Sequence, residues 1–254
     1  MVRVAYLDTI GGAAGDMILG AFLAAGLPLD QLRDALALLG LEGCEISTRR
    51  VERAGISATK LAFGLPGPLR RQHSHVGSDT GPTLAEVDAR LSVSRLPGPV
   101  VSAAARIFRC LAVATSAVLS SPPDLVRFDE REVLDTYVDV VGVAFALHYL
   151  QIERLYCSPL PLWVGELMTP HGPISLPHPI TSEIVRMAAV PARGDAESGE
   201  QVTPTGAAIL ATLADFERPD ISVILRGYGA GDAELVVPNV VKVEIGMLSE
   251  DELQ

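Results

Sequence analysis

Two histidines separated by one serine, His73 and His75, stand in the stretch "RQHSHVGSDTG", residues 71 to 81. Alternate residues of an extended chain project to one side, so the pair can offer two imidazoles to one divalent metal ion. Two solvated side chains of a loop are the plain alternative. Further donors would have to come from elsewhere: His171, Asp129 and Glu130 supply an imidazole nitrogen and carboxylate oxygens, and His178 is a second distant imidazole. His148 lies among apolar neighbours and reads as a core histidine. Cys44, Cys110 and Cys157 are widely separated and lack C-x-x-C spacing, which argues against a disulfide framework and a thiolate zinc site and favours a reducing cytoplasm.

Carboxylates and small residues form the second set. Asp8 ends the apolar run "VRVAYLD", and ligands of open α/β sheets bind beyond the carboxyl ends of strands. Asp16 follows the turn "TIGGAAGD" and is placed to cap a helix there. Gly12 and Gly15 of that turn would let backbone N–H groups approach a phosphate, although the turn fits neither the phosphate-loop nor the dinucleotide pattern. Thr203 and Thr205 in "EQVTPTGAAIL" present hydroxyls at another helix entrance, where the dipole favours an anion and capping is the plain use. Glu132, Asp135 and Asp139 recur at i, i+3 and i+7 and share one face of an apolar helix. That face must meet cations, donors or a polar cavity. No G-x-S-x-G nucleophile signature occurs.

These residues need a frame. With 254 residues and 48% hydrophobic content the chain can bury a sizeable core without staples. Strand-like segments ("VRVAYLD", "CEISTRRVE", "ATKLAFGLP", "RLYCSPLPL", "ISVILRGYG", "VVKVEIG") alternate with helical ones. Thr83 and Glu86 have capping-box spacing, and an alanine-rich helix follows Pro97 to Pro99 and ends near Ser120. The pattern predicts an α/β fold, with α+β as the alternative: a mixed sheet flanked by helices, carrying a long histidine-containing loop. Residues 1–65 form an N-terminal αβ part, 66–82 the loop, and 83–254 the remainder of the same domain. A net charge of −11 disfavours nucleic acid as a partner. The sequence gives no sign of a signal peptide or of a long uncharged apolar run, so no membrane partner is expected.

Taken in order, the motifs resemble the N-terminal domain of the LarC nickel-insertion family. "DTIGGAAGDM" matches that family's opening turn, and "GISATK" at Gly55 to Lys60 and "HSH" follow in register. The acidic helix from Asp135 to Gly142, "SPLPLW" from Ser158, "HGPISLPHP", "VTPTGAA" from Val202, "GYGAG" from Gly227 and "PNV" at Pro238 to Val240 complete the likeness. The resemblance implies a role in assembling an organometallic cofactor: nickel enters a pyridinium bis-thiocarboxylate mononucleotide in a reaction that consumes CTP. It would give His73, His75 and His171 a metal-handling role, and it would set Gly12, Gly15, Thr203, Thr205 and Tyr228 near the organic ligand. Asp8, Asp16, Asp129, Glu130 and Asp135 would position the ligand or take its protons.

The sequence departs from the family pattern at "RFDE", where Arg127 and Asp129 replace two histidines. An arginine cannot ligate nickel, and an aspartate is a harder donor. The family's usual C-terminal domain, to which CTP binding is attributed, does not follow "SEDELQ", so CTP would fall to a separate subunit or go unused. Two alternatives stay open: the scaffold turned to acid/base chemistry as a lyase, isomerase or cyclase, with Arg127 stabilising negative charge, or a noncatalytic partner subunit. A homo-oligomer is compatible with all three.

Overall fold

A computed structural model of the chain describes residues 2–40, 45–64, 81–128, 132–169, 172–194, 201–235 and 237–248. The chain opens with β1 (Arg3–Asp8), α1 (Gly15–Ala24) and α2 (Leu29–Ala37). A hairpin of β2 (Glu45–Arg53) and β3 (Ile56–Gly64) follows, turning at Ala54 and Gly55, both with positive φ. Next come α3 (Leu84–Val93), α4 (Gly98–Leu119) and α5 (Glu132–Tyr149). Short strands β4 (Arg154–Cys157), β5 (Leu160–Leu162), β6 (Gly165–Thr169) and β7 (Gly172–Leu176) lead to α6 (Pro179–Met187). The rest is β8 (Ala192–Gly194), α7 (Pro204–Leu213), β9 (Ala214–Asp215), β10 (Ile221–Ala230) and β11 (Val240–Leu248).

Seven strands form one mixed sheet in the order β2-β3-β10-β11-β1-β4-β9. β11 pairs antiparallel with both β1 and β10, whereas β1 with β4, β4 with β9, and β3 with β10 are parallel. Thus β3, β10, β1, β4 and β9 all run one way, and β11 starts at the edge where they end. The α/β expectation is met, with this mixed sheet at its centre.

One face of the sheet packs against the helices. Ala5, Leu7, Val241, Val243 and Ile245 share an apolar cluster with Phe22, Phe108, Val141 and Leu210 from α1, α4, α5 and α7. Each large apolar side chain buried there contributes about 1.5–3 kcal/mol. α4 is long and apolar enough to cross a membrane by length and composition alone, but it packs against α3, α5, α6 and α7 and carries core residues such as Val100, Ile107 and Leu111. Cys157 lies in the same cluster, where burial and then the charge of Asp8 push its thiol far up, leaving it unreactive.

Local signals set several helix ends. Thr83 accepts from the Glu86 N–H while its own N–H donates to the Glu86 carboxylate, which closes the expected capping box. α4 ends against Ser120 in the left-handed region. Two expectations need correction. Asp16 does not cap α1, because the helix begins at Gly15 with Ala14 as its cap, and the Asp16 carboxylate is drawn to a lysine instead. His148 is exposed rather than core, since it falls in the last turn of α5 on the side away from the apolar cluster.

The other sheet face carries Val4, Tyr6, Tyr156 and Leu248 beside a buried carboxylate. Glu244 is 4% exposed and accepts from Arg226 at 2.8 Å and Arg218 at 3.4 Å, with Lys242 at 3.7 Å. Arg218 also lies 4.6 Å over the Tyr6 ring. Burial raises the Glu244 pKa, but the Arg226 hydrogen bond and the charges of Lys242, Arg226 and Arg218 outweigh it and hold the carboxyl below the usual range. A group depressed in this way stabilises the fold above its unfolded pKa and loses that contribution as pH falls through the folded value. Glu244→Gln should therefore cost about 1–3 kcal/mol at neutral pH. In urea melts the gap from wild type should close below about pH 4, the range of an unfolded carboxyl, and a pH-independent gap would mean packing alone is lost.

Candidate functional site

The edge where the five like-directed strands end gathers most of the polar chemistry. β1 finishes at Asp8 and the chain turns through Thr9 to Ala14 into α1. Thr9 is fully buried, with its N–H and hydroxyl both bonded to the Ser158 hydroxyl, at 3.0 and 2.9 Å, just past the end of β4. Arg193 donates to the Thr9 and Ile10 carbonyls at 2.8 Å each. The glycine-rich turn is thus tied down on one side before it reaches α1.

Its other side meets the entrance of α7. The Ala13 N–H donates to the Gln201 carbonyl at 2.7 Å, and the Thr203 N–H donates back to the Ala13 carbonyl at 3.1 Å. A side chain on Gly12 would place its first carbon 2.5 Å from the Gln201 carbonyl oxygen, and one on Gly206 would collide with the Ala13 carbonyl. Both positions need a bare α-carbon so that two backbones can touch. The structure therefore brings together Gly12, Gly15, Thr203 and Thr205, four of the residues singled out in the sequence. Some of the neighbouring backbone is already committed. The Gly11 and Ala13 N–H groups are already bonded, to the Val240 and Gln201 carbonyls, so these two glycine-turn amides serve backbone docking rather than a phosphate. Thr203 caps α7, its hydroxyl accepting from the Gly206 N–H at 3.1 Å.

Beside this junction lies a cation that the sequence reading passed over. Lys60, on β3 one residue beyond the Gly229–Thr59 pairing, is 3% exposed and donates to Asp16 at 2.5 Å, with Asp232 at 3.2 Å. Asp16 comes from the first turn of α1 and Asp232 from just after β10, so three elements converge on one ammonium group. The signal available was a lysine inside the otherwise apolar "ATKLAF", a position that a strand against a core does not ordinarily give to a charge. Arg53 reaches the same corner, donating to the Gly231 and Asp232 carbonyls at 3.0 and 3.4 Å, so two cations face the two acids.

The remaining candidates divide. Asp139 packs against Gly15, and the half-buried Asp135 lies one turn earlier on the same stripe of α5, so this acidic face points toward the glycine turn. Asp8 and Tyr228 stand at the same edge on the sheet face away from α1; Asp8 binds Lys242 at 3.2 Å, and Lys242 is the strand partner of Tyr228. Arg127 donates to the Gly81 carbonyl at 2.7 Å and approaches Glu86 at 3.9 Å. His178 is the cap of α6, its Nδ1 accepting from the Ile180 N–H. His73, His75, Asp129, Glu130 and His171 lie outside the described residues. Among the described residues no group of three His, Cys, Asp or Glu could hold a metal ion.

Replacing Lys60 tests whether this corner is built for the fold. Asp16 and Asp232 keep solvent contact, with side chains 30% and 67% exposed, so losing the cation does not strand a buried charge. Lys60→Met should lower stability by less than about 2 kcal/mol in urea unfolding. A loss above about 4 kcal/mol would make the lysine a structural cornerstone instead.

Comparison with known proteins gives this edge a context. A family model described as "Nickel insertion protein" matches residues 5–254. Relatives bearing the name "Putative nickel insertion protein" include one from Roseiflexus castenholzii, 40% identical over 99% of this chain and 61% of its own length. Those from Citrifermentans bemidjiense and Thermomicrobium roseum are 38% and 39% identical, over 98% and 96% of this chain and 63% and 58% of their own lengths. The chain spans about three-fifths of the length of these relatives. No solved structure matches. With the match running through the glycine turn, Lys60 and the α7 entrance alike, the chain belongs to the nickel insertion protein family.

Proposed function

We propose that the protein handles nickel as cargo and passes it to a pyridinium bis-thiocarboxylate mononucleotide, forming a nickel-pincer cofactor in the cytoplasm. The observation that carries this reading is the convergence at one sheet edge of the glycine turn, the α7 entrance and the Asp16–Lys60–Asp232 cluster, in a chain of this family. The α7 entrance beside the glycine turn suits a phosphorylated ligand, whose phosphate the α7 dipole would favour. The acidic face of α5 beside the glycine turn, with Asp135 and Asp139, suits a divalent cation arriving there.

The donor set for the incoming metal is His73, His75 and His171, with Asp129 as a harder oxygen ligand. Imidazoles suit nickel, and a mixed nitrogen and oxygen set holds it loosely enough to release. Nickel–carbon bond formation replaces a ring proton: the carbon–hydrogen electron pair goes to the metal and the proton to a base. Asp135 and Asp16 border the junction and are the carboxylates proposed for that task, with Glu130 and Asp8 as the further acids proposed. Lys60 would orient the Asp16 carboxylate. CTP, in this reading, is bound by a further part of the protein or by a separate subunit.

Calorimetric titration of metal-free protein with Ni²⁺ tests the donor set. Replacing both His73 and His75 by alanine should weaken nickel binding at least tenfold, about 1.4 kcal/mol, without lowering the melting temperature of the metal-free form. Equal affinity in the double variant would remove the pair from the site.

A further inference from the structure

Lys60 and the two acids that meet it are held very differently. The lysine is 3% exposed, and the Asp16 carboxylate that accepts from it belongs to the first turn of α1. Asp232 lies 3.2 Å from the same ammonium, yet its side chain is 67% exposed and belongs to the connection between β10 and β11. The cation is therefore built into the fold, while one of its two counterions is a surface side chain. Arg53 adds a second cation, but its guanidinium donates to the Gly231 and Asp232 carbonyls and so grips the backbone of that connection rather than the Asp232 carboxylate.

Ion pairs that reach solvent on one side contribute little to stability, so the Asp232 carboxylate can leave Lys60 at small cost. An enclosed ammonium that loses a counterion calls for another. The backbone need not move for this exchange. Arg53 holds the carbonyls of Gly231 and Asp232, the Asn239 side-chain amide donates to the Ala233 carbonyl at 2.9 Å, and the Gly231 N–H donates to the Asn239 carbonyl at 3.0 Å. Rotation about the Asp232 side-chain bonds is all that the exchange requires. With that carboxylate turned to water, Lys60 and Arg53 face Asp16 alone, and the corner attracts anions. A phosphate group carries up to two negative charges and three acceptor oxygens, which favours it over a single carboxylate there.

We propose that Lys60 binds a phosphate monoester and that the Asp232 carboxylate occupies the phosphate's position until one arrives. The internal carboxylate makes the corner selective, because a singly charged anion gains nothing by replacing it whereas a phosphate does. The inference needs neither nickel nor the histidines, so phosphate binding decides it even where nickel transfer fails.

Titrating ¹⁵N-labelled, metal-free protein with inorganic phosphate and with ribose 5-phosphate at constant ionic strength is the test. Saturable shifts of the Lys60, Gly231 and Asp232 amide signals should appear with both, and ribose or acetate should give none. Asp232→Asn removes the internal competitor and should tighten phosphate binding at least about threefold. Glu234→Gln makes an equal change of charge at another exposed side chain two residues on, and should alter binding less than about 1.5-fold, which separates displacement from general attraction. Lys60→Met should abolish the saturable shifts of Gly231 and Asp232. The wild-type titration and the Asp232 variant leave the lysine in place, so they decide the matter even if Lys60→Met fails to fold. No saturable shift with ribose 5-phosphate, equal shifts with acetate, equal tightening in the Asp232 and Glu234 variants, or undiminished binding by a folded Lys60→Met variant would overturn the proposal and leave Lys60 to its two carboxylates.

Discussion

Two backbones touching without side chains between them set the geometry of this protein. At Gly12 and Gly206 the turn after the first strand and the entrance of α7 approach closely enough for the Ala13 N–H to donate to the Gln201 carbonyl and the Thr203 N–H to the Ala13 carbonyl. Segments nearly two hundred residues apart thereby become one unit. A methyl group at either glycine would part them, and with them the helix starts, the threonines and Gln201.

Electrostatics at the edge follow from strand direction. Because β3, β10 and β1 run the same way, the ends of β10 and β1 deliver Asp232 and Asp8 to one rim, Lys60 lies midway along β3 level with the end of β10, and β11 brings Lys242 from the opposite direction. The two lysines differ in setting. Lys60 is enclosed and bridges helix and sheet through Asp16, whereas Lys242 sits between Asp8 and Glu244 in a charged surface that Arg218 and Arg226 extend. Only the first stands beside the glycine junction, which is why it, rather than the larger cluster, belongs to the candidate site.

What the sequence displayed was local. The apolar run ending at Asp8, the Thr83 and Glu86 capping box and the α7 entrance are each written within a few residues, and each appears as read. Contacts made across long separations were not legible. Lys60 and Asp16 are 44 positions apart, and nothing in either neighbourhood names the other. Asp16 looked like a cap because acids before apolar runs commonly are, yet Gly15 is drawn into the helix against Asp139 and the carboxylate turns to the lysine. His148 looked buried because its neighbours in sequence are apolar, but the final turn of α5 faces it outward. Periodicity gives the face of a helix, and only packing decides which face is covered.

A division of labour follows from these placements. Among the described residues no group of three His, Cys, Asp or Glu could hold a metal ion, while the imidazoles proposed for nickel fall in segments 71–81 and 170–171 of the sequence. On this view the scaffold holds the organic acceptor and the histidines bring the metal to it. The most direct measurement is transfer itself: full-length protein carrying ⁶³Ni, incubated with pyridinium bis-thiocarboxylate mononucleotide and CTP, then ultrafiltered and analysed by mass spectrometry. Nickel should leave the protein in a small-molecule adduct that has lost one ring proton. Label that stays with the protein, or passes the filter only as free ion, would contradict the insertion of nickel into that acceptor.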